Sequence, residues 1–222
     1  MIEHINQTRA VHVITVEDPI EVLHHDKMAS INQREVGQDT ESFLAALRVA
    51  LRQDPDVILI GEMRDTETVR TALQAAETGH LVLSTLHTVD ATETVNRIVD
   101  FFPPHQQHQI RLTLAGALRG IVSQRLVPAI PNGLVPATEV LWNTGRVQER
   151  IADPQTTAEI REVMSEGAYY GMHTFEQSLL HLVSTGRVDV EEAVRSSSHP
   201  HDLQLMMQQA GVIEATTQVT QS

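Results

Sequence analysis

The chain has 222 residues, 41% hydrophobic and 20% charged, which is enough for one sizeable globular domain with a smaller appendage. A formal charge of −13 argues against general nucleic-acid binding and against charge-driven docking on anionic lipid, because both need a basic footprint. There is no cysteine, so disulfides and thiolate zinc sites are excluded, and no apolar run approaches the ~18 residues of a spanning helix.

Residues 11–16 (VHVITV) read as a strand that stops at Glu17-Asp18-Pro19, since proline cannot extend a central strand. From residue 41, ESFLAALRVALRQ places Phe43, Leu44, Leu47, Ala50 and Leu51 at helical spacing, with Thr40 as the expected cap and Asp54-Pro55 as the stop. Residues 57–60 (VILI) form a second strand that runs into Gly61 and Glu62. Thr66 opens a helix closed by Gly79, and residues 81–86 (LVLSTL) make a third strand, which ends at His87. Helices are expected from about Ala91 to Val99 and from about Pro104 to Ser123.

Strands alternating with helices predict an α/β fold with a parallel sheet. Unbroken apolar strands fit a sheet covered on both faces. After Leu126 the pattern changes: LVPAIPNGLVPATEVL contains an Asn132-Gly133 hairpin signal, and a helical stretch follows to about Gly211. The division expected is residues 1–126, an α/β core, and residues 127–222, a hairpin with a small helical domain and a frayed polar tail, ATTQVTQS.

Three strand ends carry chemistry: Glu17 with Asp18, then Glu62, then His87. Ligands of open parallel sheets bind beyond the carboxyl ends of the strands, where these groups can converge. Carboxylates with a histidine and no thiol suit a hard cation such as Mg²⁺, its waters and a phosphate. Taken one at a time, each group has a plainer explanation: a strand-ending turn at Glu17-Asp18-Pro19, a solvated loop with a local ion pair at Glu62-Met63-Arg64-Asp65, and ordinary histidines at His80 and His87. Repetition at successive strand ends favours a shared site.

ITVEDPIEV from Ile14 resembles the Asp box of the type II/IV secretion and pilus ATPases. ALRQDPDVILIGEMRDTETVRTALQAAETGHLVLSTLHT, residues 50–88, resembles their Walker B and His boxes in one unbroken run, and INQREVGQDTESFLAALR between them fits as well. The likeness is strong over residues 1–126 and weaker beyond, and it is nearest to PilT-like retraction ATPases. It implies a RecA-like core that hydrolyses ATP with Mg²⁺. Glu17 would activate water. Glu62 would stand near Mg²⁺, through a water, and His87 near the γ-phosphate, with Asp18 and with His80 beside it. Arg34, Arg48 and Arg52 lie in segments that in this family include arginines reaching a neighbouring subunit's nucleotide. The resemblance further implies a homohexamer, an inner-membrane pilus platform protein as partner, and a cytoplasmic location at the inner face of that membrane, without direct insertion.

Three features bear on the likeness. Gln124-Arg125-Leu126 passes to the hairpin without the four-cysteine loop frequent in assembly and secretion ATPases, which favours the retraction type. NTGRVQERIAD stands where the retraction family often has an Ala-Ile-Arg motif. The phosphate loop G-x-x-x-x-G-K-[ST] is absent, for the chain has no Gly-Lys pair and its only lysine is Lys27. The expectation is therefore a truncated motor, inactive by itself, whose sheet lacks a strand and exposes an edge. The alternatives are an assembly or secretion ATPase and a non-hydrolysing subunit that binds a full-length paralogue.

Overall fold

The computed structural model describes residues 1–214. The elements run α1 (Ile2–Thr8), β1 (His12–Glu17), β2 (Ser30–Glu35), α2 (Phe43–Ala50), β3 (Val57–Ile60), α3 (Thr66–Glu77), β4 (Leu81–Ser84), α4 (Ala91–Asp100) and α5 (Pro104–Ala117). After these come β5 (Gly120–Pro128), β6 (Leu134–Trp142), α6 (Gly145–Ala152), α7 (Ile160–Ser165), α8 (Phe175–Ser184), α9 (Val190–Ser196) and α10 (Pro200–Gln209). The chain divides into two compact units. One comprises Met1–Thr88, Thr94–Leu118 and Ile151–Asp153; the other comprises Val89–Glu93, Arg119–Arg150 and Pro154 onward.

The first unit is α/β. Its four strands are parallel in the order β2-β1-β3-β4. On one face Val13 and Val57 pack with Ile2 and Ile5 of α1, joined by half-buried Leu59, Leu81 and Leu83. On the other, Ile58 and Ile60 pack with Leu47 of α2 and with Ala72 and Ala75 of α3. Both faces of β3 are covered, which is why VILI is apolar throughout. β4 is an edge strand among the described residues, and all four of its residues are half-buried.

Several expectations of local structure need correction. Ser42, not Thr40, caps α2 by accepting from the Ala45 N–H. β2 is a strand that sequence periodicity does not predict: it lies at the edge, and its SINQRE is mostly polar. The helix expected to reach Ser123 stops at Ala117, and Gly120 begins β5. Gly120 pairs with Trp142, so the segment up to Leu126 belongs to the hairpin and not to the α/β unit.

The second unit is built on the antiparallel β5-β6 hairpin, with Gly133 at φ 92° in its turn. Val127, Val135 and Ala137 of its inner face pack with Phe175, Leu179, Leu203 and Met207. Thr174 and Gln177 form a capping box at α8. Two carboxylates are buried here. Glu139 accepts the Ala91 N–H at 2.7 Å, and Glu176 takes Arg161 at 3.3 Å and the Ser197 hydroxyl at 3.1 Å. The expected frayed tail, residues 215–222, lies outside the described residues.

Candidate functional site

The site is the carboxyl edge of the parallel sheet. β1 pairs with β3 through Val16 and Ile60, and β3 with β4 through Ile60 and Ser84, so the three strands end level with one another. Whatever side chain follows each strand therefore meets its neighbours at that edge.

Gly61 makes the first close approach. Its N–H donates to the Val16 carbonyl at 2.7 Å, and a Cβ placed on it would lie 3.1 Å from that oxygen and 3.3 Å from Glu17 Cα. A glycine here lets β3 deliver Glu62 hard against the end of β1. The Thr85 hydroxyl donates to the Gly61 carbonyl at 2.5 Å and ties the loops after β3 and β4 together. Asp65 then caps α3 by accepting from the Thr68 N–H, so the short loop from Gly61 to Asp65 is anchored at both ends.

Within that loop Glu62 is the hub. Its Oε1 lies 3.2 Å from His87 Nε2, and its Oε2 lies 2.6 Å from both Nε and Nη2 of Arg64. Arg64 Nη1 is 3.9 Å from Asp18 Oδ2. The Arg64 hydrogen bond holds the Glu62 carboxyl below the usual carboxylate range; partial burial opposes this and His87 adds to it. Glu62 in turn pushes the Arg64 guanidinium above its ordinary range. Glu62 is 18% exposed, against 60% for Arg64 and 87% for His87, so a sheltered acid faces two solvent-open nitrogen-bearing side chains.

Glu17, one strand over, is held separately. Its Oε1 accepts from the Thr15 hydroxyl at 2.6 Å and from the Gln33 amide at 3.1 Å. Thr15 and Glu17 share a face because residues two apart in a strand do, and Gln33 reaches them because it pairs with Thr15.

The structure thus joins Glu62, His87 and, through Arg64, Asp18, and it sets Glu17 on the adjacent strand end. It does not bring in His80. That ring precedes β4, at the opposite edge of the sheet, with Nδ1 2.9 Å from the Ala75 carbonyl and 3.2 Å from the Thr78 hydroxyl. His80 and His87 flank β4 at its two ends, so the expectation of His80 beside His87 is corrected. Arg34 points its guanidinium to Gln53 at 3.0 Å. Gln53 is at the amino edge, where its carbonyl meets His12, so Arg34 does not join the cluster. Arg52 neighbours Gln53, and Arg48 sits one turn earlier in α2; both are exposed.

Arg64, Thr15, Gln33 and Thr85 were not singled out as site residues from sequence. Only Arg64 left a signal, the local ion pair available to GEMRD, and the structure contains that pair. Among the described residues no three His, Cys, Asp or Glu side chains converge as a metal-ligand set. Glu62 nevertheless offers hard oxygen of the kind Mg²⁺ takes, and a single carboxylate is compatible with holding the ion through water.

The sequence matches the family described as "Type II/IV secretion system protein" over residues 1–222. It is 42% identical over 202 residues to the type IV pilus retraction ATPase PilT of Pseudomonas aeruginosa, covering 91% of this chain and 58% of that protein. It is 46% identical over 204 residues to a twitching motility protein of Neisseria gonorrhoeae, covering 91% of this chain and 54% of that protein. The fold is similar to a crystal structure of the pilus retraction motor PilT with bound ADP, with a TM-score of 0.86 and 48% identity, covering 93% of this chain and 58% of that one. The chain spans little more than half the length of these relatives. Over its whole length, then, the chain belongs to the type II/IV secretion system protein family.

Proposed function

We propose that this chain serves an ATP-hydrolysing motor subunit of a type IV pilus machine, of the retraction type. The observation that carries the reading is the Glu62–His87 pair at 3.2 Å, formed at the level strand ends where a parallel sheet binds its ligand. Support for the retraction type comes from the PilT relative, and for a motility motor from the twitching motility relative; both similarities cover 91% of the chain and so extend well into the hairpin and helical unit.

In this reading Glu17 is the general base. Two hydrogen bonds to Oε1 orient its carboxylate, and Oε2 is the atom assigned to take a proton from the attacking water. Glu62 would orient a water of the metal, and its pairing with Arg64 and His87 favours the ionised form of the carboxyl. His87 stands at the open rim, where its ring N–H can meet a terminal phosphate oxygen. Mg²⁺, when bound, draws off charge that builds on the phosphoryl oxygens. Asp18 holds Arg64 from the side of β1. Arg34, Arg48 and Arg52, outside this cluster, are the candidates for an arginine that reaches the nucleotide of a neighbouring subunit in a homohexamer. An inner-membrane platform protein is the proposed mechanical partner, with the motor at the cytoplasmic face. No helix among the described residues is long and apolar enough to cross a membrane.

A chimera tests the reading. This chain is joined to the N-terminal portion of the Pseudomonas PilT relative, and phosphate release from ATP is measured with and without Mg²⁺. Metal-dependent turnover that falls by roughly 10²-fold in E62Q supports the assignment. A folded chimera without turnover, together with co-purification of this chain with intact PilT, replaces it with a non-hydrolysing partner subunit.

A further inference from the structure

Both oxygens of Glu62 are occupied, Oε1 by His87 and Oε2 by two nitrogens of Arg64. The two Arg64 nitrogens fill the acceptor sites of Oε2, so that oxygen meets a cation-bound water only after Arg64 leaves it. Arg64, however, is built to let go. It is 60% exposed, and an ion pair open to solvent exchanges partners readily. It lies two residues from Glu62 in a loop anchored by Gly61 and by the Asp65 cap, so its side chain can swing without backbone movement. Its remaining nitrogen already stands 3.9 Å from Asp18, across the mouth of the site. Its planar fork matches phosphate oxygens as well as carboxylate oxygens, and a polyphosphate offers more negative charge than one carboxylate.

We propose that Arg64 is a switching residue of this site, pairing with Glu62 Oε2 and leaving it for an incoming phosphate. Glu62 Oε2 is then free to orient a cation-bound water only when phosphate is present. This rests on the reading of Glu62 as the metal-side acid, and it adds a cationic group that acts within the subunit, apart from Arg34, Arg48 and Arg52.

The test uses the chain as it is, with Mn²⁺ as the probe in place of Mg²⁺. Binding is followed by water-proton relaxation, with and without inorganic tripolyphosphate. E62Q supplies the background from the other carboxylates of this acidic chain. In the wild type, tripolyphosphate tightens Mn²⁺ binding at Glu62. R64A binds Mn²⁺ alone about tenfold more tightly, the scale of one charge-assisted hydrogen bond removed, and shows no further gain with tripolyphosphate. R64K keeps part of that gain, since an ammonium supplies charge without the fork. The R64A/E62Q double variant falls back to background. If R64A equals wild type while E62Q weakens binding, the switch is overturned and the reading of Glu62 stands. If E62Q changes nothing in either background, both fall.

Discussion

His87 Nε2 lies 3.2 Å from Glu62 Oε1, although α3 and β4 separate the two residues along the chain. The contact exists because Ile60 and Ser84 are register partners and each strand releases its polar residue just past that point. If the pair acts as a unit, H87A in the PilT chimera lowers ATP turnover by roughly 10²-fold, and E62Q/H87A costs far less than the product of the single losses. Additive losses in that double-mutant cycle would separate the two roles.

Gly61 tests the closeness of the strand ends. In G61A the new methyl group meets the Val16 carbonyl and Glu17 Cα, which are backbone atoms and cannot rotate away. The expected cost is about 1–2 kcal/mol, read as a lower urea midpoint at unchanged slope. A variant as stable as wild type would show that β1 and β3 separate easily at this edge.

Glu139 makes stability depend on pH. Burial pushes its carboxyl up to about 7, with Asp90 and Glu176 adding repulsion and the Ala91 N–H opposing. A folded-state value above the unfolded one means that stability is present below about 4.5 and is lost as pH rises through about 7. The loss between pH 5 and 8 is about 2.5 kcal/mol from this group. E139Q should flatten that slope in urea titrations at the two pH values. A slope that survives in E139Q assigns the dependence to other residues.

Arg161 matters to the second unit through Glu176. Burial pushes the Glu176 carboxyl up, but the bond to its own N–H, Arg161, Ser197 and His199 together outweigh that and hold it below the usual range. R161M removes the cation 3.3 Å from this carboxylate while keeping much of the apolar stem. Stripping the cation from a buried carboxylate is expensive, so a loss of about 2–3 kcal/mol is expected, seen as a lower Tm. A Tm unchanged in R161M would mean that Ser197 and His199 suffice.

The isolated chain is expected to associate. β4 lies at the sheet edge with apolar, half-buried Leu81, Val82 and Leu83, and Val122, Leu126, Leu134 and Trp142 are exposed on the hairpin. The molar mass from light scattering should rise with concentration near neutral pH. A monomeric gel-filtration peak with a sharp cooperative melt would count against this.

Much of this protein is determined by sequence because the relevant signals are local. VILI followed by Gly61 and Glu62, or LVLSTL followed by His87, shows where a buried strand ends and what it presents. Two such ends in an alternating α/β pattern mark a shared edge. Other features depend on partners distant in the chain. β2 has no apolar period to announce it and is a strand only because β1 offers it a ladder. Residues 120–123 look helical until β6 pairs with them. His80 and His87 bracket the strand that is legible at residues 81–86, so their places at opposite edges follow from that strand rather than from long-range pairing. Arg64 could have faced solvent; Glu62 and Asp18, brought to one edge by strand register, made it part of the site. Short-range pattern determined the elements and their reactive tips, while strand pairing, a long-range matter of backbone hydrogen bonds, decided which tips meet.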